Sequence, residues 1–192
     1  DEDDMWESQH YDGDRRVDVD DIEAVEDPSW RADPRTVTVD IEVESPDGFP
    51  EAADAEQPVT GITAYDNYDE EYRLWLLRYD GWAYDDTEIQ NLAIENRPDT
   101  MVVDGEEFPA NIADVRVFEN ESQMLHDFNE YVGNRRPDLL SGWNSSSTMK
   151  GDAFDYPYLL NRCKGLNVMN FREWSPMGQV WTTRRGFEQN LT

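Results

Sequence analysis

Two acidic side chains stand close together in the segment from Thr36 to Val43, TVTVDIEV, which is otherwise rich in β-branched residues. Side chains alternate between the two faces of a β-strand, so residues i and i+2 share a face. Asp40 and Glu42 are therefore expected together on one face, opposite the apolar side chains. Paired carboxylates of this kind are ligands for a hard divalent cation. The pattern also fits an ordinary solvent-exposed face of an acidic protein, so a second motif is needed to choose between the two.

The composition indicates a folded and unusually acidic chain. Its 192 residues carry 44 Asp and Glu against 16 Lys and Arg, a net charge of −28, and only two of the bases are lysine. This balance is typical of salt adaptation, because at molar salt a Debye length of about 3 Å screens the self-repulsion. Seven Trp, nine Tyr and seven Phe argue against a disordered chain. The length fits one domain.

The charge is unevenly distributed along the chain. Residues 1–132 have a net charge of −31 and residues 133–192 a net charge of +3, so the last third is where we expect a polyanion to approach. The single cysteine, Cys163, excludes an intramolecular disulfide and gives no zinc-cluster pattern. Without a long apolar run or a signal-like amino end, the sequence predicts a cytoplasmic protein that has no membrane partner.

The segments after the first strand predict an antiparallel meander. Val59–Tyr65 and Tyr72–Tyr79 are strand candidates separated by the turn-like DNYDEE. A short helix is expected over Thr87–Asn96, where TEIQ has the spacing of a capping box. An acidic loop is expected from there to residue 113.

Two helices and a strand are predicted in the second half. The apolar stripe of Asn120–Val132 predicts a surface helix that ends at Gly133, with His126 on its solvent face. Asp138–Asn144 has the length and apolar content of a buried strand parallel to the first. A second helix starts at FDYPYLL, residues 154–160, with Asp155 as a good N-cap.

Three segments resemble the 3′ to 5′ exonuclease domain of family B DNA polymerases, of archaeal (halophilic) or viral type. DIE at Asp40–Glu42 is similar to the first exonuclease motif, and GWN at Gly142–Asn144 with FDYPYL at Phe154–Leu159 is similar to the second. The resemblance covers residues 34–192. Residues 1–33, with 14 acids, are interpreted as a remnant of the polymerase N-terminal region.

The resemblance implies a ribonuclease H-like α/β fold of the DEDD exonuclease type, a mixed β-sheet with flanking helices. It implies two Mg²⁺ or Mn²⁺ ions, with Asp40 as the bridging ligand, Glu42 on the ion that activates water and Asp155 on the other ion. The implied partners are the 3′ end of single-stranded DNA and the rest of a polymerase chain.

Further DNA contacts follow from the same resemblance. Phe154 is expected near the unpaired 3′ end, and Asn144 is expected to hydrogen-bond the displaced strand. A hairpin is expected within residues 166–187. Five basic residues are candidates to line the path of the DNA backbone, with ordinary solvation as the alternative: Arg162, Lys164, Arg172, Arg184 and Arg185.

The sequence departs from the family pattern twice. The family's second-motif Asn stands five residues before its Asp, but Asn144 precedes Asp155 by eleven. Either SSSTMK is inserted, or Lys150 occupies the Asn position. The third motif, a Tyr followed four residues later by Asp, does not occur between Asp155 and Thr192. We therefore expect the fragment to stop before it and, in isolation, to be inactive as a nuclease.

Two other classes of protein compete with the nuclease. One is a polymerase fragment that binds nucleic acid without cleaving it, and the other is an acidic interaction protein that mimics DNA. The presence of all three carboxylates, Asp40, Glu42 and Asp155, favours the nuclease.

Salt is predicted to stabilise the fold. Because a net charge of −31 is concentrated in residues 1–132, screening should relieve more repulsion than it costs in surface ion pairs. The thermal midpoint should rise from dilute buffer to molar KCl, as followed by circular dichroism. A midpoint that falls with salt would count against a halophilic origin.

Overall fold

The structure is a computed structural model that describes residues 33–46, 48–103, 105–145, 153–180, 182–185 and 188–191. The acidic segment of residues 1–33 lies outside this description apart from Asp33, and so does Lys150. The strands are β1 (Thr36–Val43), β2 (Val59–Asp66), β3 (Glu71–Leu77), β4 (Thr100–Val103), β5 (Glu106–Pro109), β6 (Ile112–Phe118), β7 (Leu139–Ser141), β8 (Thr182–Arg185) and β9 (Glu188–Leu191). The helices are α1 (Asp86–Glu95), α2 (Glu121–Arg135), α3 (Asp155–Gly165) and a 3₁₀-helix (Met169–Trp174).

The central sheet has five strands in the order β6-β3-β2-β1-β7. β1, β2 and β3 form an antiparallel meander, whereas β7 pairs in parallel with β1 and β6 in parallel with β3. This arrangement confirms the predicted mixed sheet with flanking helices. A hairpin was expected within residues 166–187; the observed hairpin of β8 and β9 begins later and its second strand lies beyond that range. In the described part of the chain, no helix is long and apolar enough to cross a membrane.

The hydrophobic core lies on one face of β1. Val37 and Val39 are fully buried and Ile41 is nearly so, while Thr38, Asp40 and Glu42 between them are exposed. The buried face belongs to one apolar cluster with residues of α2, α3 and the 3₁₀-helix. The alternation expected from the sequence is confirmed, and it leaves the two carboxylates pointing away from the core.

Residues 80–113 differ from the expectation. α1 begins at Asp86, and its capping box joins Asp85 and Glu88 rather than Thr87 and Gln90, because an acid two residues earlier already satisfies the first-turn N–H groups. The expected acidic loop contains the β4–β5 hairpin and the start of β6.

The end of α2 was also predicted wrongly. The helix continues through Gly133 to Arg135 and ends at Arg136, whose φ of 47° places it in the left-handed region. Gly133 serves close packing instead, since a Cβ there would lie 2.7 Å from Glu173 Cβ in the 3₁₀-helix. His126 is exposed, as predicted.

β7 is parallel to β1 as expected, but it is not the buried strand that the sequence indicated. It has three residues and lies at the edge of the sheet, and Leu139 is 53% exposed. Trp143, just after the strand, is 96% exposed. The prediction of a buried strand, made from the apolar content of this segment, was therefore wrong.

A buried ion pair fastens the start of β1 to the β2–β3 turn and the end of α2. Asp66 is 1% exposed and accepts hydrogen bonds from the Arg35 guanidinium at 2.7 and 3.1 Å. The Arg135 guanidinium lies 3.7 Å from the same carboxylate. Burial acts to raise the pKa of Asp66, but the hydrogen bonds from Arg35 and from the Tyr68 main chain, with both positive charges, hold it below its ordinary value.

Loss of the Asp66 charge should destabilise the protein strongly. Asp66→Asn leaves two guanidinium groups without their buried partner, and we expect the free energy of unfolding to fall by about 3 kcal/mol at pH 7. Because the pKa of Asp66 is lower in the folded state than in the unfolded state, the stability that its charge contributes is fully present above the unfolded-state pKa. This contribution is lost as the pH falls through the folded-state pKa. Urea unfolding across pH measures both effects. Asp69→Asn, at the exposed side of the same cluster, should cost less than about 1 kcal/mol, and equal losses in the two variants would contradict this account.

Candidate active site

Asp40 and Glu42 lie side by side on the exposed face of β1. In the pairing with β2, Asp40 is opposite Thr63 and Glu42 is opposite Gly61. The register shifts directly after Glu42, between it and Val43. Such irregularities bend a strand and re-aim its side chains, so the acidic pair stands where regular β1 pairing ends.

Asp155 is the first residue of α3 and not its N-cap, which corrects the sequence-based expectation. Phe154 precedes the helix and makes no side-chain capping bond. The Asp155 carboxylate is 3% exposed, and its Oδ2 accepts a hydrogen bond from the Asn144 main-chain N–H at 3.2 Å. The side chain is therefore bonded to the segment after β7 instead of to its own helix.

The main chain of Asn144 meets the start of α3 directly. Its carbonyl accepts hydrogen bonds from the N–H groups of Phe154 at 2.7 Å and Asp155 at 3.3 Å. Residues eleven positions apart in sequence are thus in direct contact in the structure. The Asn144 residue is exposed. The alternative alignment through Lys150 falls outside the described residues.

The electrostatics couple Asp155 to Asp40. Burial raises the pKa of Asp155 to about 6, the Asn144 N–H opposes the rise, and the negative charge of Asp40 adds to it. A buried carboxylate beside a like charge loses stability in its ionised form. The two acids are therefore close enough for the charge of Asp40 to disfavour the ionised form of Asp155.

The site's donors suit a divalent cation, although the full ligand set is not assembled. Carboxylate oxygens are the donors that Mg²⁺ and Mn²⁺ prefer, and a cation beside Asp40 and Asp155 would relieve their repulsion. Within the described ranges, no group of three His, Cys, Asp or Glu side chains is placed to hold a metal ion. The structure thus brings Asp40 and Asp155 into electrostatic contact, with Glu42 on the same strand face as Asp40.

An aromatic pair borders the acids. The Phe154 ring packs against Phe49 with centroids 4.6 Å apart, and Phe49 is 76% exposed. Phe154 was among the predicted DNA contacts, but Phe49, which follows a glycine in the loop between β1 and β2, was not. A large apolar residue beside a turn glycine, DGF, was the available signal.

The basic candidates have different surroundings. Arg162 is 14% exposed and its guanidinium binds both oxygens of Glu121, at 2.6 and 2.8 Å, and the carbonyls of Ala55 and Glu56. Those contacts occupy it in fastening α3 to α2 and to the β1–β2 loop. Lys164 and Arg172 are exposed. Arg184 and Arg185 lie in β8, and their side chains fall outside the description.

Comparison with known proteins identifies the family. A model of the family described as DNA polymerase family B, exonuclease domain, matches residues 7–190. The chain belongs to this family. The exonuclease domain is also similar to the DNA-directed DNA polymerases of Escherichia phage RB69, with 33% identity over 135 residues, and of Enterobacteria phage T4, with 30% identity over 150 residues.

The exonuclease domain spans only a small part of these relatives. The matches cover 69% and 76% of this chain but 14% and 16% of the two phage polymerases. A shorter match, 39% identical over 54 residues, is to the DNA polymerase delta catalytic subunit of Schizosaccharomyces pombe, covering 28% of this chain and 4% of that protein. The expected resemblance and the α/β fold class are confirmed.

The ionised Asp155 should destabilise the fold. Its pKa is raised from 3.8 to about 6, which corresponds to about 3 kcal/mol. Since the folded state binds this proton more tightly than the unfolded state does, the stability that protonated Asp155 contributes is fully present below pH 4. This contribution is lost as the pH rises through 6. Asp155→Asn should therefore raise the free energy of unfolding by about 2 to 3 kcal/mol at pH 7.5 and flatten its pH dependence between 4 and 6.5.

Urea unfolding of the wild-type and Asp155→Asn proteins in the presence of EDTA measures the difference in their free energies of unfolding. Asp40→Asn is the companion variant, and it should act in the same direction but more weakly, because Asp40 is the smaller cause of the raised pKa. An Asp155→Asn variant that is less stable than wild type at pH 7.5 would contradict the electrostatic account.

Proposed function

We propose that this domain removes the 3′ terminal nucleotide of single-stranded DNA, as the proofreading activity of a family B DNA polymerase. Asp40, Glu42 and Asp155 are the proposed carboxylates of the reaction centre. The observation that carries the proposal is the buried Asp155 carboxylate, held on the Asn144 N–H and electrostatically coupled to Asp40, in a chain of this exonuclease family.

The proposed cofactor is Mg²⁺ or Mn²⁺, with two ions in the complete domain. Asp40, Glu42 and Asp155 would hold them. When bound, such an ion pair supplies hydroxide from water and stabilises the entering and leaving oxygens at phosphorus.

The chain's own residues would orient this chemistry. The Asn144 N–H fixes one Asp155 oxygen, which leaves the other free to act as a ligand. Only the ionised carboxylate is a good ligand. Since the pKa of Asp155 is about 6 in the absence of metal, the affinity of the site for a cation should fall as the pH falls through about 6.

The DNA contacts are proposed from exposure and position. Phe154 with exposed Phe49 gives a surface on which the terminal base can stack. The exposed side chains of Lys164 and Arg172 remain candidates for the DNA backbone, and Arg184 and Arg185 remain predictions. We leave Arg162 out of the proposed DNA contacts because Glu121 and two carbonyls already occupy its guanidinium.

The second candidate is a module that binds single-stranded DNA without cleaving it. It is favoured by one observation, that no three potential ligands gather in the residues the structure describes. The acidic DNA mimic is not proposed further, since membership of the exonuclease family accounts for the chain without it.

The decisive variant is Asp40→Ala in a polymerase that carries this domain. Loss of the proposed bridging carboxylate should reduce degradation of a 3′ single-stranded primer by at least about 100-fold, because misplacing reacting groups by 1 Å already has such an effect. DNA synthesis should be unchanged. Glu130→Ala removes an exposed acid from α2 and should alter neither activity.

The 192-residue chain by itself should show little or no cleavage with Mg²⁺ or Mn²⁺, because it lacks the carboxylate expected from a third motif. Robust metal-dependent cleavage by this chain that survives Asp40→Ala would place the reaction elsewhere. Binding of single-stranded DNA without cleavage by the whole polymerase would favour the second candidate.

A further inference from the structure

Gly142 lies against β1 where no side chain fits. A Cβ at this position would be 2.5 Å from the carbonyl oxygen of Val39, whereas real Cβ atoms essentially never lie within 3.0 Å of such a neighbour. It would also meet Ser145 Cβ at 3.2 Å and Asp155 Oδ2 at 3.6 Å. The φ of Gly142 is not in the left-handed region, so the requirement is for space rather than for an unusual backbone conformation.

This contact joins the two halves of the acidic site. Val39 immediately precedes Asp40 on β1, and two residues after Gly142 the Asn144 N–H holds the Asp155 carboxylate at 3.2 Å. A side chain at position 142 must push the segment after β7 away from β1. Because that segment carries Asp155 with it, the spacing between the Asp155 and Asp40 carboxylates would change.

Tyr156 fixes the same segment from the other side. It is 3% exposed, and its hydroxyl donates a hydrogen bond to the Ser141 carbonyl at 2.7 Å. The first turn of α3 therefore bonds to the residue before Gly142 through Tyr156 and to the residue two positions after it through Asp155. Within the segment, the Ser145 hydroxyl donates to the Gly142 carbonyl at 2.8 Å. We call this set, residues 141–145 with 154–156, the β7–α3 junction.

We propose that Gly142 and Tyr156 are positioning residues that set the separation of the Asp40 and Asp155 carboxylates. The inference rests on the proposed nuclease function. Neither residue touches DNA or the reacting atoms in this account. Gly142 lets the segment after β7 approach β1, and the Tyr156 hydroxyl holds the first turn of α3 to that segment, so together they fix one distance in the site.

The first test is Gly142→Ala. In a polymerase that carries the domain, we expect kcat for 3′ degradation to fall by about 100-fold with KM for DNA unchanged, since about 1 Å of misplacement affects the chemistry and not the remote DNA contacts. In the 192-residue chain, the Asn144 amide should shift in ¹H–¹⁵N spectra and exchange its hydrogen faster.

The chain offers a matched control in Gly133→Ala. A Cβ there would also be too close to its neighbour, at 2.7 Å from Glu173 Cβ, but between α2 and the 3₁₀-helix. It should lower stability and leave both kcat and the Asn144 amide unchanged.

The second test is Tyr156→Phe, which keeps the buried ring and removes only the hydroxyl. It should reduce kcat by about 10-fold, a smaller loss, because the hydrogen bonds of the Asn144 main chain still hold the start of α3 to the segment after β7. Tyr158→Phe is its control: the Tyr158 hydroxyl, in the same helix, donates to the Gln57 carbonyl at 2.7 Å and should affect stability without affecting kcat. This pair also carries the test if Gly142→Ala does not fold.

The outcomes separate this inference from the proposed function. A parent polymerase that does not degrade DNA overturns the proposed function, and the Asn144 amide in the variants still tests the junction. An unchanged kcat and an unchanged Asn144 amide in Gly142→Ala overturn the inference. It is also overturned if Gly133→Ala lowers kcat as much as Gly142→Ala does, or if Tyr158→Phe lowers kcat as much as Tyr156→Phe does.

Discussion

The site depends on one electrostatic constraint, a buried carboxylate that faces a second carboxylate and is held by a single main-chain N–H. Burial and the charge of Asp40 both oppose ionisation of Asp155, and the Asn144 N–H opposes them. A protein folding for stability alone would place an amide or an apolar residue there. The arrangement has a use when a cation is shared between the acids, since the destabilised anion is then the better ligand.

The fold supplies the geometry from opposite ends of the chain. β1 presents Asp40 and Glu42 by simple alternation, with its buried face fixed by the core. α3 supplies Asp155 from more than a hundred residues later, and the Asn144 main chain, just after short β7, bonds the start of α3.

The sequence predicted the parts that are governed by local periodicity. The alternation of β1, the meander and the stripe of α2 depend on side chains that lie two, three or four positions apart, and those features were confirmed. β6 was missed because the expected acidic loop covered its first two residues and residues 114–118 were assigned to no element. Asp155 was taken for an N-cap because sequence shows that an acid precedes a helix but not which N–H it binds.

The contacts that could not be predicted use main-chain atoms, which every residue has. The Asn144 carbonyl and N–H, the Val39 carbonyl beside Gly142 and the Ser141 carbonyl beside Tyr156 carry no side-chain signal. Phe49 was similarly invisible until the loop between β1 and β2 was seen to return to Phe154. Long-range register, rather than residue type, decides these features.

The central claim is that the Asp40 and Asp155 carboxylates form one cation site. Crystals of the domain grown with Mn²⁺ and measured at the manganese absorption edge test it most directly, because anomalous scattering locates the ion independently of any activity. The account predicts an anomalous peak within about 2.0 to 2.6 Å of oxygens from both residues. Manganese bound elsewhere on this acidic surface, with no peak between Asp40 and Asp155, would contradict it.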